Sequence, residues 1–329
     1  MPSIPARISA VAKWTPPNVV TNDDLAQRIE TSDEWIFART GIRQRHFADP
    51  GTATSDMILP AAREVLEKTG TDPADLDLIV VATITPDMVF PSTACLLQGR
   101  LGATKAWGFD LSAACSGFVY ALTAGAQFVG AGSHKKVLVA GADTMTSIVD
   151  FEDRATCVLF GDGAGVALLE PAEKGQGILD FIHDVDGSGA GHLYMPAGGS
   201  RRPPSVETVQ NREHFVRQRG RHVFKYAVRR MAEIPQRLMD RNGMARKDLK
   251  LLVPHQANLR IIQGAADKLG LTDEQVFKNI ETYGNTTAGT IPIALAEAEE
   301  QGRLTPGDLV ILVSVGAGFT TGGVLMRWG

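Results

Sequence analysis

Three cysteines in 329 residues, with no CxxC pair and no regular spacing, leave no disulfide framework and no cysteine-built zinc site. Cys95, Cys115 and Cys157 therefore read as free thiols in a reducing compartment, the cytoplasm. Long apolar runs are also missing, since stretches such as Leu78–Ala82 and Leu309–Val313 fall far short of the ~18 residues that suggest a membrane span. The stretch from Met1 to Trp14 carries Pro2, Pro5, Arg7 and Lys13 without a continuous apolar segment, so no secretory signal is expected. Neither sign of charge dominates. The 33 Lys and Arg face 37 Asp and Glu, and a net charge of −4 rules out a global basic field for nucleic acid or anionic lipid. The seven histidines show no ligand spacing, which argues against a metal. Gly161-Asp-Gly-Ala-Gly has the wrong spacing for a dinucleotide fingerprint and precedes a strand, so nicotinamide and flavin cofactors are not expected. Glycines there serve a tight turn or close backbone packing.

What is present is the ordinary balance of a folded protein, with 44% hydrophobic and 21% charged residues, which excludes disorder. At roughly 150 residues per domain the length suits two domain-sized units or one large α/β body. Short β-branched runs alternate with helical periodicity, the pattern of an α/β fold whose strands are covered on both faces. Strands are expected at Ile4–Val11, Leu76–Thr83, Trp107–Leu111, Lys136–Gly141, Val166–Leu169, Leu249–Val253, Leu309–Val315 and Val324–Arg327. Helices are expected at Ser55–Thr69, Ser92–Leu101, Gly117–Ala131, Arg221–Asn242, Ala257–Leu269 and Thr287–Gln301. Pro235 should kink or split the fourth, while Pro60 and Pro292 suggest later starts for the first and last. The two halves share a plan, each closing on glycine-rich strands, and are divided here as 1–172 and 173–329. Gly187–Pro204 reads as a surface loop.

Cys115 lies in Asp110-Leu-Ser-Ala-Ala-Cys-Ser-Gly, between a short strand and a helix beginning near Ser116 or Gly117. The positive end of that helix would favour a thiolate nucleophile. A small apolar residue packed at the junction is the plain alternative. His255 follows an apolar strand in Val-Pro-His-Gln-Ala-Asn, and Asn285 lies in Tyr-Gly-Asn-Thr-Thr-Ala-Gly-Thr, each directly before a helix. Alone, one could be a core histidine and the other a helix cap. Together they set a thiol, an imidazole and a carboxamide at junctions of the kind where open α/β sheets build sites. A papain-like protease shares the order Cys, His, Asn, but Cys115 is far from the N-terminus and lacks the Cys-Gly-Ser-Cys-Trp surroundings.

At these residues the chain resembles the β-ketoacyl-acyl carrier protein synthase III family of thiolase-like condensing enzymes. The matching stretches are Thr31-Ser-Asp-Glu-Trp-Ile, Arg39-Thr-Gly-Ile-Arg, Phe90-Pro-Ser-Thr-Ala-Cys, Ala113-Ala-Cys-Ser-Gly-Phe, Phe160-Gly-Asp-Gly-Ala-Gly, Val253-Pro-His-Gln-Ala-Asn-Leu-Arg-Ile-Ile, Gly284-Asn-Thr and Gly316-Ala-Gly-Phe-Thr. They run in the family's order over essentially the whole length. The resemblance implies a thiolase-like fold of two similar α/β halves in layers, and a decarboxylative condensation that starts fatty acid synthesis. Cys115 would carry the acyl group of an acyl-CoA primer, acetyl-CoA first. His255 and Asn285 would donate hydrogen bonds to the malonyl thioester oxygen as charge develops. A second oxyanion site would use the backbone N–H groups of Cys115 and Ala317. Ala317 departs from a common run of three glycines, which a backbone donor survives if Ala317 avoids positive φ. Thr321 stands where a tryptophan is frequent, an exchange expected to reshape the neighbouring cavity.

The resemblance also implies that Trp35 and Arg154 sandwich the CoA adenine, that Arg39 and Asn258 lie near the nucleotide and pantetheine arm, and that Phe90 reaches the acyl pocket of a partner subunit in a homodimer. Core packing is the plain alternative for Phe90. Charge is unevenly spread. Residues 201–250 carry 14 Lys and Arg against five Asp and Glu, so this segment holds +9 and the rest −13. Arg221, Lys225 and Arg229 recur at i, i+4 as a basic stripe, which is either a solvated helix face or, with Arg260, a dock for acyl carrier protein. An acyltransferase or starter-unit enzyme of secondary metabolism on the same scaffold is the rival reading.

Overall fold

The computed structural model of the protein describes residues 5–329. Five strands form a first sheet: β1 (Ala6–Trp14), β2 (Leu78–Ala82), β3 (Trp107–Leu111), β4 (Val137–Asp143) and β5 (Gly163–Pro171), in the order β1-β5-β4-β2-β3. Four form a second: β6 (Gly177–Val185), β7 (Leu251–Pro254), β8 (Leu309–Gly316) and β9 (Thr320–Arg327), in the order β6-β9-β8-β7. The pairings repeat. In each sheet the first strand runs antiparallel to the last, the last antiparallel to the one before it, and that one parallel to the strand earlier in the chain. The counterpart of β3 shrinks to a parallel bridge between Leu252 and Val276, with Phe277 N–H donating to Leu252 O at 2.9 Å.

The helices that cover the sheets are α1 (Asp33–Thr40), α2 (Thr54–Thr69), α3 (Thr93–Leu101), α4 (Gly117–Gly130), α5 (Gly220–Arg241), α6 (Leu259–Leu269) and α7 (Thr290–Glu300). Strand alternation sorts the core into layers. Leu78, Val80 and Ala82 face a middle layer of α4 and α7, which also receives Leu251, Val253, Val310 and Leu312 of the second sheet. Ile79 and Val81 point the other way, onto α2 and α3, while Leu252, Ile311 and Val313 face α5 and α6. Two sheets thus lie between three layers of helix. The middle layer packs tightly because glycines let it: a Cβ on Gly165 would sit 2.6 Å from Pro292 Cβ and 2.8 Å from Ile293 N. The Gly161-Asp-Gly-Ala-Gly run is thus close backbone packing, as expected.

Several boundaries differ from the sequence expectation. The first strand begins at Ala6 and runs on to Trp14, and Ile4 lies outside the described residues. Pro235 and Pro60 sit inside continuous helices. The last helix does begin later, at Thr290, after a 3₁₀ turn over Thr287–Gly289 that leaves Pro292 in the first turn, where its missing N–H costs nothing. Strand β6 and helix α1 were not expected. The surface loop contains a short strand, Leu193–Tyr194, paired with Arg217–Gln218.

Candidate active site

Two cavities meet at Cys115. The larger, about 610 Å³, is lined by Trp35, Arg39, Cys115, Arg221, His255, Asn258, Arg260 and Asn285 among others. The smaller, about 430 Å³, is mostly apolar, with Ile84, Met145, Ile148, Leu193, Val216 and Ala317 in its wall. Cys115, His255 and Asn285 are 6%, 2% and 7% exposed and face the larger cavity together. Three junctions bring them there. Cys115 lies in a 3₁₀ turn, Ala114–Ser116, that leads from β3 into α4. His255 directly follows β7, its N–H donating to Val313 O at 2.8 Å. Asn285 precedes the 3₁₀ turn into α7 and is tied across the seam, its N–H donating to Leu159 O at 2.9 Å and its carbonyl accepting from Gly161 N–H at 3.1 Å.

Electrostatics overturn one expectation. Burial, with the Asp143 charge nearby, pushes the Cys115 thiol up to about 12. A helix N-terminus is worth up to ~2 kcal/mol. A rise of three units corresponds to about 4 kcal/mol, so desolvation wins and the resting residue is a thiol. Burial also pushes His255 down to about 3, so the imidazole rests neutral. Its Nδ1 lies 2.6 Å from Thr290 Oγ1, and Nε2 has no partner among the described residues. The Asn285 Oδ1 accepts from Thr287 N–H at 2.9 Å, which turns the Nδ2 amide toward the cavity as a donor.

The backbone around Cys115 is open to a ligand. Neither its N–H nor that of Ala317 donates to the backbone oxygen of another residue among the described residues. Ala317 is not at positive φ; that strain falls on Ala114 (φ 48) and Thr287 (φ 50). Gly316 is required by close approach, because a Cβ there would lie 2.9 Å from both Cys115 N and Ala113 O and 2.7 Å from Thr320 Oγ1. Thr321 is fully buried in β9 and is not among the residues lining either cavity.

Further out, the Trp35 indole is already flanked by two guanidiniums, with Arg39 at 4.3 Å and Arg154 at 4.7 Å from the ring centre. Arg154 is held by Glu30 O at 2.8 Å. A third flat ring does not fit between partners this close, so an adenine would have to displace one of them. The Arg39 stack, at i, i+4 within α1, is a contact that the spacing could have revealed. Asn258 lines the larger cavity, but its side chain caps α6 and donates to Arg39 O at 2.8 Å. Phe90 is 83% exposed beside Val89 at 88%, which removes core packing as its role. Arg221, Lys225 and Arg229 are exposed on α5 and lack a carboxylate partner among the described residues. By contrast Arg230, Arg237 and Arg241 on the same helix are paired with Asp184, Glu233 and Asp180. Arg260 is exposed over Phe224, and with Arg221 it borders the cavity mouth. No group of three or more His, Cys, Asp or Glu among the described residues could hold a metal, and no described helix is long and apolar enough to cross a membrane.

A buried thiol, imidazole and carboxamide at the seam of two repeated layered sheets define a thiolase-like condensing enzyme, an acyltransferase. Known proteins fix the family. Residues 109–187 match the family model for 3-oxoacyl-[acyl-carrier-protein] synthase III, and residues 239–328 match that of its C-terminal region. A β-ketoacyl-[acyl-carrier-protein] synthase III of Solibacter usitatus is 57% identical over 326 residues, covering 98% of both chains. The crystal structure of the synthase III from Aquifex aeolicus superimposes with a TM-score of 0.90 at 42% identity, over 98% of this chain and 100% of that one. The priming β-ketosynthase of the R1128 polyketide pathway gives 0.92 at 34% identity, over 100% and 98%. The chain belongs to the β-ketoacyl-acyl carrier protein synthase III family.

Proposed function

We propose that the protein starts fatty acid synthesis by condensing an acyl-CoA primer, acetyl-CoA first, with malonyl-acyl carrier protein. The observation that carries this is the convergence of Cys115, His255 and Asn285 on one cavity while Cys115 also opens into a second, apolar one. In acylation the neutral His255 takes the thiol proton as sulfur attacks the thioester, and the Cys115 and Ala317 N–H groups receive the oxyanion. In condensation carbon dioxide leaves, and His255 and Asn285 stabilise the enolate oxygen by hydrogen bonds. Asn285 suits this as a neutral donor, where a carboxylate would repel the charge.

The larger cavity would take the CoA arm past Trp35, Arg39, Arg154 and Asn258. The apolar one would take the acyl chain. The unpaired stripe of Arg221, Lys225 and Arg229, with Arg260 at the cavity mouth, suits an acidic carrier protein. The exposed Phe90 and Val89, and the free outer edge of β3, suit a homodimer in which Phe90 reaches the partner's acyl pocket. The chain then divides into halves 1–172, carrying the nucleophile, and 173–329, carrying His255 and Asn285. It works in the cytoplasm without a cofactor.

Intact-protein mass spectrometry after incubation with acyl-CoAs tests the mechanism. One acyl adduct is expected, absent in Cys115→Ala, and malonyl-acyl carrier protein should discharge it as a β-ketoacyl product. No adduct with any primer refutes the mechanism, and discharge without loss of carbon dioxide points to acyl transfer onto an alcohol or amine.

A further inference from the structure

Two hydrogen bonds at the centre of the site converge on Thr287. Its N–H orients Asn285, as described, and its carbonyl accepts from the Thr290 hydroxyl at 3.2 Å. The same Thr290 oxygen is the one that lies 2.6 Å from His255 Nδ1. A hydroxyl has a single proton. Pointed at Thr287 O, it leaves its oxygen to accept from Nδ1–H, and Nε2 is then a bare acceptor. Turned toward Nδ1, it donates, and Nε2 carries the ring proton.

Thr287 itself is held in place. A β-branched residue at φ 50 is strained and persists only where its surroundings impose that conformation. Asp143 imposes it, accepting from the Thr287 hydroxyl and, at 3.1 Å, from the Ala288 N–H. The other oxygen of this buried carboxylate accepts from Thr83 Oγ1 at 3.0 Å, from Ile84 N–H at 2.8 Å and from the Thr85 hydroxyl at 3.0 Å. The acceptor that Thr290 turns to and from is therefore a fixed point, anchored on both halves of the molecule.

Resting on the condensing reading above, we propose that Thr290 is a positioning residue whose hydroxyl reverses to serve both neutral tautomers of His255, one for each half-reaction. In acylation the bare Nε2 takes the proton from Cys115 Sγ as sulfur bonds to the primer carbonyl carbon. It returns that proton to the CoA sulfur when the carbon–sulfur bond breaks. In condensation the malonyl carboxylate leaves as carbon dioxide, its bonding pair becomes the enolate, and Nε2–H joins the Asn285 amide as a donor to the thioester oxygen. The enolate carbon then bonds to the acyl carbon and expels the Cys115 sulfur as a thiolate, which takes a proton from solvent water to restore the resting thiol. Exchange between tautomers runs through solvent water entering the emptied cavity after CoA leaves: the ring gives up its Nδ1 proton to water and takes one from water at Nε2, so no net proton is transferred.

Thr290→Val keeps the shape and removes the hydroxyl, while Thr290→Ser keeps the hydroxyl and removes a methyl. The valine variant should slow both acylation of Cys115 and decarboxylation of the malonyl thioester by about tenfold to hundredfold, because it leaves a buried ring nitrogen unpaired, with KM for acyl-CoA unchanged. The serine variant should stay within a few-fold of wild type. The opposite ranking, serine slow and valine normal, would mean that Thr290 only fills space and would overturn the inference. Nitrogen-15 NMR of histidine-labelled wild-type protein reads the tautomer directly, whether or not the valine variant folds. Nδ1 should be protonated in the free enzyme, and Nε2 in the acyl-enzyme bound to a malonyl analogue that cannot decarboxylate. One tautomer in both states overturns the proposal. Failure of the wild-type protein to form an acyl adduct would remove the condensing reading instead.

Discussion

The resting state of Cys115 sets how the first half-reaction starts, and alkylation kinetics measure it. Against an ordinary thiol value of 9.0, a value of about 12 lowers the thiolate fraction at pH 7 from about 10⁻² to about 10⁻⁵, a free-energy difference of about 4 kcal/mol. Iodoacetamide reacts with the thiolate only, so the alkylation rate of Cys115 should climb about tenfold per pH unit from pH 6 to 10 with no plateau. Peptide mass spectrometry separates Cys115 from the exposed Cys95, which serves as the internal reference for reagent activity. A rate that levels off below pH 8 would mean a thiolate stabilised against His255. That result would refute the argument that burial outweighs the helix end. If the thiol reading holds, the thiolate exists only while His255 takes its proton, which protects the site from adventitious oxidation and alkylation.

Two further outcomes follow from the geometry. Gly316→Ala places a Cβ against the Cys115 N–H and the Ala113 carbonyl, and should slow Cys115 acylation by ~10² or more; a wild-type rate by intact mass would show that the N–H is not an oxyanion donor. Reversing Lys225 and Arg229 to Glu should weaken acyl carrier protein binding on the order of tenfold and flatten its salt dependence in titrations at varied ionic strength, whereas unchanged affinity would reduce the stripe to solvated surface.

Much of the fold was legible because its strands are buried on both faces and read as continuous apolar runs, as Leu78–Ala82 and Leu309–Val315 do. Strand β6 was hidden by Asp180, His183 and Asp184, whose polarity reflects its place at a sheet edge. Pro235 was overweighted, since the helix continues through it with the ring buried. At the site, the junction residues Cys115, His255 and Asn285 stood out by residue type and context. The protonation state of Cys115 did not, because local position reveals the helix end but not the desolvation imposed by distant residues. Thr287, Thr290 and Asp143 were equally invisible: they are common residue types that matter only through bonds spanning up to 145 positions of chain. Trp35 and Arg154 were expected to hold an adenine between them, whereas the approach of Arg154 and Arg39 to the indole itself, at 4.7 and 4.3 Å from its centre, was not foreseen.

The repeated strand pairings carry one last consequence. Each half has a left-handed residue opening a 3₁₀ turn that runs into a middle-layer helix, Ala114 before α4 and Thr287 before α7. The position after Ala114 is the thiol, and the position after Thr287 is Ala288. A near-symmetric scaffold thus presents one reactive terminus where symmetry would have given two. Its twin is methylated and inert, and the left-handed residue before that twin holds the groups that face the nucleophile. Each chain should therefore saturate at a single acyl group however much primer is supplied.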